Sequence, residues 1–321
     1  MIHETKSDKY SKKILVLGAL GQIGSVLTQR LCKLHGKSNV VASDIRKNRN
    51  SNTDYNFIIL DATDYLAVKE AVINFSIDTV YLMAAMLSAE VEKKPETGWN
   101  VNMKPLLVML DLAKQGIIKQ LFWPSSIAVF GPSTPKINTP QLTIMDPTTI
   151  YGIAKLAGER WCEYYKIKFG IDVRSLRYPG IISWQSPPGG GTTDYAVHIF
   201  KKLIDKGAYT CFLKSKTKLP MMYIDDAVRA TTEIMSVEAD KLTVNSSYNL
   251  AAITFDPNQL YKNIKKFLPK SKINYEPDFR QEIADSWPKT IDDSQANKDW
   301  GWKSNYDLNM ICEEMLENIK I

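Results

Sequence analysis

The residues best suited to chemistry are Tyr151 and Lys155, which stand four positions apart in a run, 149–169, whose pattern predicts a helix. On a helix the phenol and the ammonium project from one face, one turn apart. Tyrosine titrates near 10 in water, so a tyrosine base at neutral pH needs a pKa that is roughly three units lower. A neighbouring ammonium is one source of that fall. Such a pair also arises by chance, so its meaning depends on the elements around it.

Ser126 is the third side chain that fits this chemistry. It follows an apolar run, 120–123, that predicts a strand, and the helix of Tyr151 comes later in the chain. A hydroxyl at a strand end can hydrogen-bond a reacting oxygen while a tyrosinate takes the proton from that oxygen. Ser126, Tyr151 and Lys155 are therefore the candidate catalytic residues.

A glycine-rich turn near the start of the chain predicts a dinucleotide site. The apolar run 12–17 ends at Gly18, and Gly21 and Gly24 complete a GxxGxxG spacing, which differs from the usual GxGxxG. Glycines let the backbone approach a pyrophosphate closely, and the start of the following helix supplies amide donors and a dipole. A tight glycine turn without a ligand is the alternative. The residues of this turn that we expect to contact the cofactor are Gly18, Gly21, Gln22, Ile23 and Gly24.

Asp44 indicates which dinucleotide binds. It ends a second apolar run, 39–43, and lies about twenty residues beyond Gly24, where a carboxylate binds the adenosine ribose 2′-hydroxyl. The same carboxylate would repel a 2′-phosphate, so we predict NAD and not NADP as the cofactor. Arg46 is expected to lie on or near the adenine, with Ile45 beside it.

Strands and helices alternate through the first half of the chain. Further strand-like runs are separated by helical patterns at 65–75 and 95–115. This order predicts the α/β class and a Rossmann-type doubly wound parallel sheet, which binds ligands at the carboxyl ends of its strands. At or near these ends we place the remaining cofactor contacts, which are Asp61, Ala62, Ala84, Ala85, Asn102, Ser125, Tyr178 and Ile181, together with Tyr151 and Lys155.

The second half predicts a smaller C-terminal α/β substrate-binding domain. We assign 1–182 to the NAD-binding domain and 183–321 mainly to the substrate-binding domain, with a segment near 219–252 returning to the first. The strands and helices that we expect in the smaller unit are 247–250, 256–267, 273–275 and 306–319.

The glycine-rich stretch 187–195 is the candidate substrate loop. Glycines followed by two threonines and Asp194 are typical of a mobile binding loop, although a plain surface loop with a threonine cap has the same pattern. Asp194 could pair with a substrate ammonium or could position the loop. Asp225 and Asp226 are interpreted as capping and packing acids, because no partner ligands for a metal stand near them.

The composition argues against several other classes of protein. The chain has 321 residues and a formal net charge of +6, and its 4 cysteines and 3 histidines show no metal or redox spacing. Neither a zinc site nor a Ser-His-Asp hydrolase is therefore expected. No membrane-spanning run, secretory signal or basic-aromatic nucleic-acid platform is visible. The acids in the polar segment 1–12 argue against a transit peptide, and we expect the cytoplasm or the mitochondrial matrix, not secretion.

Taken together and in order, these motifs resemble the extended short-chain dehydrogenase/reductases. Phe130 stands where that family often has Tyr, without a chemical consequence that we can identify. The resemblance implies a Rossmann fold with Ser126, Tyr151 and Lys155 as the catalytic set, and Lys155 as a contact of the nicotinamide ribose. The matching features are GxxGxxG at 18–24, Asp44, Asp-Ala at 61–62, Ser-Ser-Ile-Ala-Val-Phe-Gly at 125–131, Tyr-x-x-x-Lys at 151–155 and Arg-Tyr-Pro-Gly at 177–180.

Five segments narrow the resemblance to the NAD-dependent, epimerase-like L-threonine 3-dehydrogenases of that family. They lie at 43–46, 177–183, 188–196, 219–226 and 284–288. The resemblance implies oxidation of the C3 hydroxyl of L-threonine to 2-amino-3-oxobutanoate, and a homodimer built from the helices near 95–115 and 147–169. The residues that it implies around the amino acid are Ser88, Ser126, Tyr151, Gly190, Thr192, Thr193, Asp194 and Trp287.

Two other functions share the same cofactor half. A nucleotide-sugar epimerase or dehydratase would use the same Ser-Tyr-Lys set, but the segments 188–196 and 284–288 favour the threonine enzymes. A non-catalytic NAD-binding regulator is disfavoured, because it would not need Ser126, Tyr151 and Lys155 together.

Overall fold

The computed structural model describes residues 12–48, 55–186 and 189–319. The tail predicted at 1–12 lies outside these ranges except for Lys12, and Pro187 and Pro188 of the candidate substrate loop lie outside them too. Within the described ranges the strands are β1 (Ile14–Leu17), β2 (Val40–Asp44), β3 (Asn56–Ile59), β4 (Thr79–Leu82), β5 (Gln120–Ser126), β6 (Asp172–Tyr178), β7 (Gly180–Ile182), β8 (Ala208–Cys211), β9 (Leu219–Tyr223), β10 (Tyr248–Asn249), β11 (Ile253–Phe255) and β12 (Lys272–Tyr275).

The helices alternate with these strands, most regularly in the first half. They are α1 (Gln22–His35), α2 (Tyr65–Asn74), α3 (Ser88–Lys93), α4 (Pro95–Lys114), α5 (Ile150–Phe169), α6 (Tyr195–Lys206), α7 (Ile224–Ile234), α8 (Pro257–Phe267), α9 (Arg280–Ser286), α10 (Ser294–Trp300) and α11 (Leu308–Ile319).

The predicted doubly wound parallel sheet is confirmed. It has seven strands in the order β10-β6-β5-β4-β1-β2-β3, and every neighbouring pair is parallel. The strand order reverses around β1, which lies between β2 and β4. A crevice opens at such a reversal, outside the carboxyl ends of the strands, and this is where open α/β sheets bind ligands.

Alternating side chains of β1 feed two hydrophobic cores, one on each face of the sheet. Ile14 and Val16 belong to the core that contains α1 and α7, whereas Leu15 and Leu17 belong to the core under α2, α4 and α5. Because both faces are covered, the central strands are buried on both sides, as their continuous apolar sequence predicts.

Local signals set the ends of α5, the helix that carries Tyr151. The Thr149 hydroxyl accepts a hydrogen bond from the Gly152 amide at 3.0 Å, which caps the start. Gly170 ends the helix in the left-handed region, at φ 68°.

The second half forms two small sheets, β11-β9-β7 and β12-β8, but its strands do not all stay there. The 247–250 run, expected in the smaller unit, contributes β10, which pairs with β6 at the edge of the seven-stranded sheet. The segment at 219–223 forms β9 in the three-stranded sheet, and α7 then packs against α1. The domain division at residue 182 therefore stays a prediction.

Several short elements were not predicted, namely α3, β7, β8, α9 and α10. The helices among them have six or seven residues each, which is too few for a helical period to show. The packing role expected for Asp226 is confirmed, because its buried carboxylate accepts hydrogen bonds from the Asn305 and Tyr306 amides at 2.9 and 3.1 Å.

A buried ion pair joins α5 to the sheet. Glu159 accepts hydrogen bonds from Arg177 of β6 at 2.9 and 2.7 Å, and both side chains are almost completely inaccessible to solvent. Ser125 of β5 donates to the same carboxylate at 2.6 Å, and Arg177 also donates to Asn249 of β10 at 3.0 Å. The Glu159 carboxylate thus links helix α5 to β5 and β6 and, through Arg177, to β10.

Glu159→Gln should destabilise the protein by about 3 to 5 kcal/mol, because Arg177 would be left buried without its counter-charge. The matched control is Glu163→Gln on the same helix, since Glu163 pairs with Arg160 at 2.7 Å near the surface and should cost at most about 1 kcal/mol. Urea denaturation followed by circular dichroism measures both free energies of unfolding. Equal losses would contradict a special role for the buried pair.

Candidate functional site

A cleft of about 750 Å³ lies at the carboxyl edge of the seven-stranded sheet. It brings together nearly all the predicted site residues. Those that line it are Gly18, Gly21, Gln22, Ile23, Gly24, Asp44, Ile45, Arg46, Asp61, Ala62, Ala84, Ala85, Ser88, Ser125, Ser126, Tyr151, Lys155, Tyr178, Ile181, Thr192, Thr193, Asp194 and Trp287.

Two glycines are required where β1 turns into α1. Gly18 has φ 86°, and a Cβ atom there would lie 2.6 Å from the Ala84 amide nitrogen. At Gly24 a Cβ atom would lie 2.1 Å from the Gly18 carbonyl oxygen. Any side chain would therefore separate the turn, the start of α1 and the end of β4, which together form a cradle of backbone suited to a flat, anionic ligand.

Asp44 lies at the end of β2 with a buried carboxylate. It accepts hydrogen bonds from the Leu20 amide at 3.0 Å and from Nε and Nη2 of Arg46 at 2.9 and 3.2 Å. Burial acts to raise the pKa of Asp44, but the hydrogen bonds outweigh it and the pKa is lowered. Asp44 is therefore a carboxylate at neutral pH, and the Arg46 side chain forks onto it.

The three candidate catalytic residues meet in the middle of the cleft. Ser126 ends β5, and its hydroxyl lies close enough to the Tyr151 phenol to act on the pKa of that phenol. Lys155 lies one turn along α5, with Nζ 5.6 Å from the centre of the Tyr151 ring, and it donates to the Pro124 carbonyl oxygen at 2.6 Å. Trp123 places its ring 4.6 Å below the same ammonium. The sequence-predicted grouping of these side chains is thus found in the structure.

The acid–base properties of this pair differ from the expectation. Burial raises the pKa of Tyr151 to about 12, against the opposing effect of the Ser126 hydrogen bond. Burial likewise lowers the pKa of Lys155 to about 7, although Cys162 and Glu159 act to raise it. Both shifts favour the uncharged forms, because a charge in this low-dielectric region loses its hydration. Sequence spacing showed the neighbouring ammonium and could not show the desolvation.

The glycine-rich loop closes one end of the cleft. The Asp194 carboxylate accepts hydrogen bonds from the Gly190 and Gly191 amides at 2.8 and 2.7 Å. Thr192 faces Ser88, with 3.4 Å between their hydroxyl oxygens. Asp194 is buried, and burial raises its pKa in spite of the two amide donors. Of the two roles considered for Asp194, these contacts favour positioning of the loop.

Two predicted contact residues do not line the cleft. Asn102 lies behind it, where its side-chain amide bonds the Met86 backbone nitrogen and oxygen at 2.8 and 3.2 Å and so braces the chain after β4. Gly190 faces Glu90 and not the cavity. Glu90 does line the cleft and was missed, because no motif of the sequence singled it out.

The seven-stranded parallel sheet with a cleft at its carboxyl edge is the architecture of Rossmann-type dinucleotide-binding proteins. Residues 14–251 match the model of the NAD dependent epimerase/dehydratase family, and the chain belongs to this family. A relative from Staphylococcus saprophyticus, described as an uncharacterized epimerase/dehydratase, is 45% identical over 96% of this chain and 97% of its own.

Among solved structures, the chain is similar to L-threonine dehydrogenases. The chain is similar to a GalE-like L-threonine dehydrogenase from Cupriavidus necator in its holo form, with 51% identity, 95% of this chain and 99% of the other covered, and a TM-score of 0.93. It is also similar to a monomeric L-threonine 3-dehydrogenase from a metagenome, with 44% identity, coverage of 96% and 98%, and a TM-score of 0.92.

Among the described residues, none of the helices is long and apolar enough to cross a membrane. Within the same ranges there is no group of three or more His, Cys, Asp or Glu side chains that could hold a metal ion.

Asp194→Ala should speed hydrogen exchange of the Gly190 and Gly191 amides by about tenfold or more, since hydrogen bonds to charged groups are each worth about 1.5 to 3 kcal/mol. Asp205→Ala, at the far end of the helix that follows Asp194, is the control, because Asp205 pairs with Lys201 at the surface. Hydrogen exchange followed by mass spectrometry compares the loop in the two variants. Unchanged loop exchange in Asp194→Ala would show that the carboxylate does not hold the loop.

Proposed function

We propose that this protein is an L-threonine 3-dehydrogenase, which oxidises the C3 hydroxyl of L-threonine to 2-amino-3-oxobutanoate with NAD. The observation that carries the proposal is the position of Tyr151, which lies with Ser126 and Lys155 in the cleft that the 189–194 loop bounds. The similarity to L-threonine dehydrogenases at 51% and 44% identity supports the substrate.

The residues of the cleft fit a bound NAD. The backbone cradle at Gly18 and Gly24, which side chains would fill, suits the pyrophosphate, and the Asp44 carboxylate suits the adenosine ribose. Lys155 is proposed to bind the nicotinamide ribose. Bound NAD would supply the hydride acceptor and a positive charge. Arg46 stays paired with Asp44 at the adenine end.

Tyr151 is proposed to take the proton from the C3 hydroxyl, and Ser126 to hydrogen-bond the same oxygen. Because burial alone keeps Tyr151 protonated, the tyrosinate needs a positive charge close by. Lys155, on the same face of α5, supplies one such charge when it is protonated. The tyrosinate form of Tyr151 is therefore most stable when protonated Lys155 and bound NAD are both present.

The amino-acid end of the substrate is proposed to lie against hydroxyls. Ser88 and Thr192 face one another across the entrance of the loop, and Thr193 lines the cleft beside them. Trp287, which is 5% exposed, closes the pocket. We assign Asp194 to positioning of the Gly190 and Gly191 amides and not to the substrate ammonium.

A homodimer through α4 and α5 is the proposed assembly, in spite of the monomeric relative. Both helices expose large aromatic side chains. Trp99 of α4 is 39% exposed, and Trp161 and Tyr164 of α5 are 40% and 54% exposed. Large exposed apolar side chains on two neighbouring helices favour an interface on this face. The buried, unpaired cysteines suit a reducing compartment, the cytoplasm or the mitochondrial matrix.

Tyr151→Phe should lower turnover with threonine at least about 100-fold, because general acid–base catalysis contributes at least that factor. NADH affinity should be retained, since the ring remains. Tyr164→Phe, an exposed tyrosine of the same helix, is the control and should be fully active. NADH absorbance is followed with threonine and without substrate, and conversion of UDP-sugars is followed by chromatography, because an epimerase or dehydratase regenerates its NAD and gives no net NADH. Turnover of a UDP-sugar but not of threonine would instead favour the epimerase or dehydratase function.

Asp44→Ala should move cofactor preference toward NADP by at least about tenfold, because a carboxylate beside a 2′-phosphate costs several kcal/mol. It also releases Arg46, which now forks onto Asp44, to pair with that phosphate. The double variant with Arg46→Ala should lose most of the gain. The ratio of kcat/KM for NAD and NADP is the measurement, and an unchanged ratio in Asp44→Ala would remove Asp44 from cofactor choice.

A further inference from the structure

Helix α3 connects the substrate loop to the catalytic helix. On the loop side, the Ala89 amide donates to the Gly190 carbonyl oxygen at 3.1 Å, and the Thr192 amide donates to the Ser88 hydroxyl at 3.3 Å. Ser88 and Ala89 are the first two residues of α3, and Ser88 is buried. The loop and the start of α3 are thus fixed to one another by backbone and side-chain hydrogen bonds.

On the other side, Glu92 reaches the start of α5. Its Oε1 accepts a hydrogen bond from the Ile150 amide at 2.8 Å. Ile150 is the first residue of α5, so its amide has no partner within the helix and needs one from outside. The bonded amide is in the peptide that joins Thr149 to Ile150, one residue before Tyr151. A carboxylate also interacts favourably with the positive end of the helix dipole.

Ser88 and Glu92 are four residues apart, so they project from the same side of α3. One therefore holds the loop and the other holds the first turn of α5. The neighbouring acid of α3 cannot replace Glu92, because Glu90 pairs with Lys93 at 2.7 Å at the surface. Thr149 caps a different amide of α5, that of Gly152.

We propose that Glu92 is a positioning residue for Tyr151, coupling the place of the 189–194 loop to the place of the phenol through α3. This inference rests on the proposed function in so far as the phenol is the base. A base must lie within hydrogen-bond reach of the proton that it removes. Loss of the Glu92 contact lets the first turn of α5 shift relative to the loop, and small displacements of this kind lower the rate strongly.

Glu92→Ala should lower kcat with threonine about tenfold to 100-fold, by misplacement of the base. NADH affinity should stay within about twofold, because Glu92 touches none of the proposed cofactor contacts. Glu92→Gln keeps an acceptor oxygen and should restore most of kcat. Glu96→Ala is the matched control, as Glu96 is an exposed acid at the start of α4. A wild-type kcat in folded Glu92→Ala would overturn the proposal, and so would a Glu92→Gln variant as slow as Glu92→Ala.

Removal of the donor provides a second, independent variant. Proline is tolerated at the first position of a helix, and Thr149 already has the extended backbone that proline requires before it, at φ −110° and ψ 148°. Ile150→Pro should therefore repeat the kcat loss of Glu92→Ala when both are compared with Ile150→Ala, which keeps the amide. The double variant Glu92→Ala/Ile150→Pro should lose no more than either alone. Additive losses would overturn the proposal.

Hydrogen exchange separates a failure of this proposal from a failure of the proposed function. Glu92→Ala should raise exchange together at the first turn of α5 (150–153) and in the loop (189–192), whereas Glu96→Ala should raise neither. This readout needs no turnover, so it tests the coupling even if the wild-type protein does not oxidise threonine. Faster exchange at 150–153 with an unchanged loop would overturn the coupling.

Discussion

The buried ion pair between Glu159 and Arg177 is the interaction on which the site depends. Glu159 lies one turn beyond Lys155 and two turns beyond Tyr151 on α5, so the carboxylate fixes the rotation of the face that carries both. Its partners come from β5 and β6, the strands whose carboxyl ends border the cleft. A buried ion pair adds little net stability compared with apolar packing. Its hydrogen bonds, however, are all made in only one relative position of α5 and the sheet. The Glu159–Arg177 pair therefore fixes the orientation of α5.

Desolvation, more than any single charge, sets the chemistry of the site. The surroundings that bury Glu159 also bury the Lys155 ammonium and the Tyr151 phenol, and both of these groups are shifted toward their uncharged forms. At the adenine end the balance is reversed, because hydrogen bonds to Asp44 outweigh its burial. The cleft thus carries a permanent negative charge at the Asp44 end. At the Tyr151 and Lys155 end, the charge depends on the groups that lie beside these side chains.

The sequence predicted those features that depend on a repeating pattern or on local steric limits. The Gly18–Gly24 turn, Asp44, the parallel sheet and the Ser126, Tyr151 and Lys155 grouping follow from strand periodicity and steric limits. Long-range and short features were not. The six-residue α3 has no period to detect, the sheet that β10 joins is decided by pairing across about 70 residues, and Asn102 turns to Met86 because of tertiary packing. The direction of the pKa shifts needed burial, which spacing does not encode.

The place of β10 has a consequence for how the chain is made. β6 cannot complete its hydrogen-bond ladder, nor Arg177 its contact with Asn249, until residues 248–249 have left the ribosome. An emerging chain that ends near residue 182 would present an open parallel edge with a buried guanidinium only partly satisfied. The contacts between β10 and β6 join residues that are far apart in the sequence, and contacts of this kind slow folding. The large sheet therefore reaches its final form only after most of the second half has been synthesised.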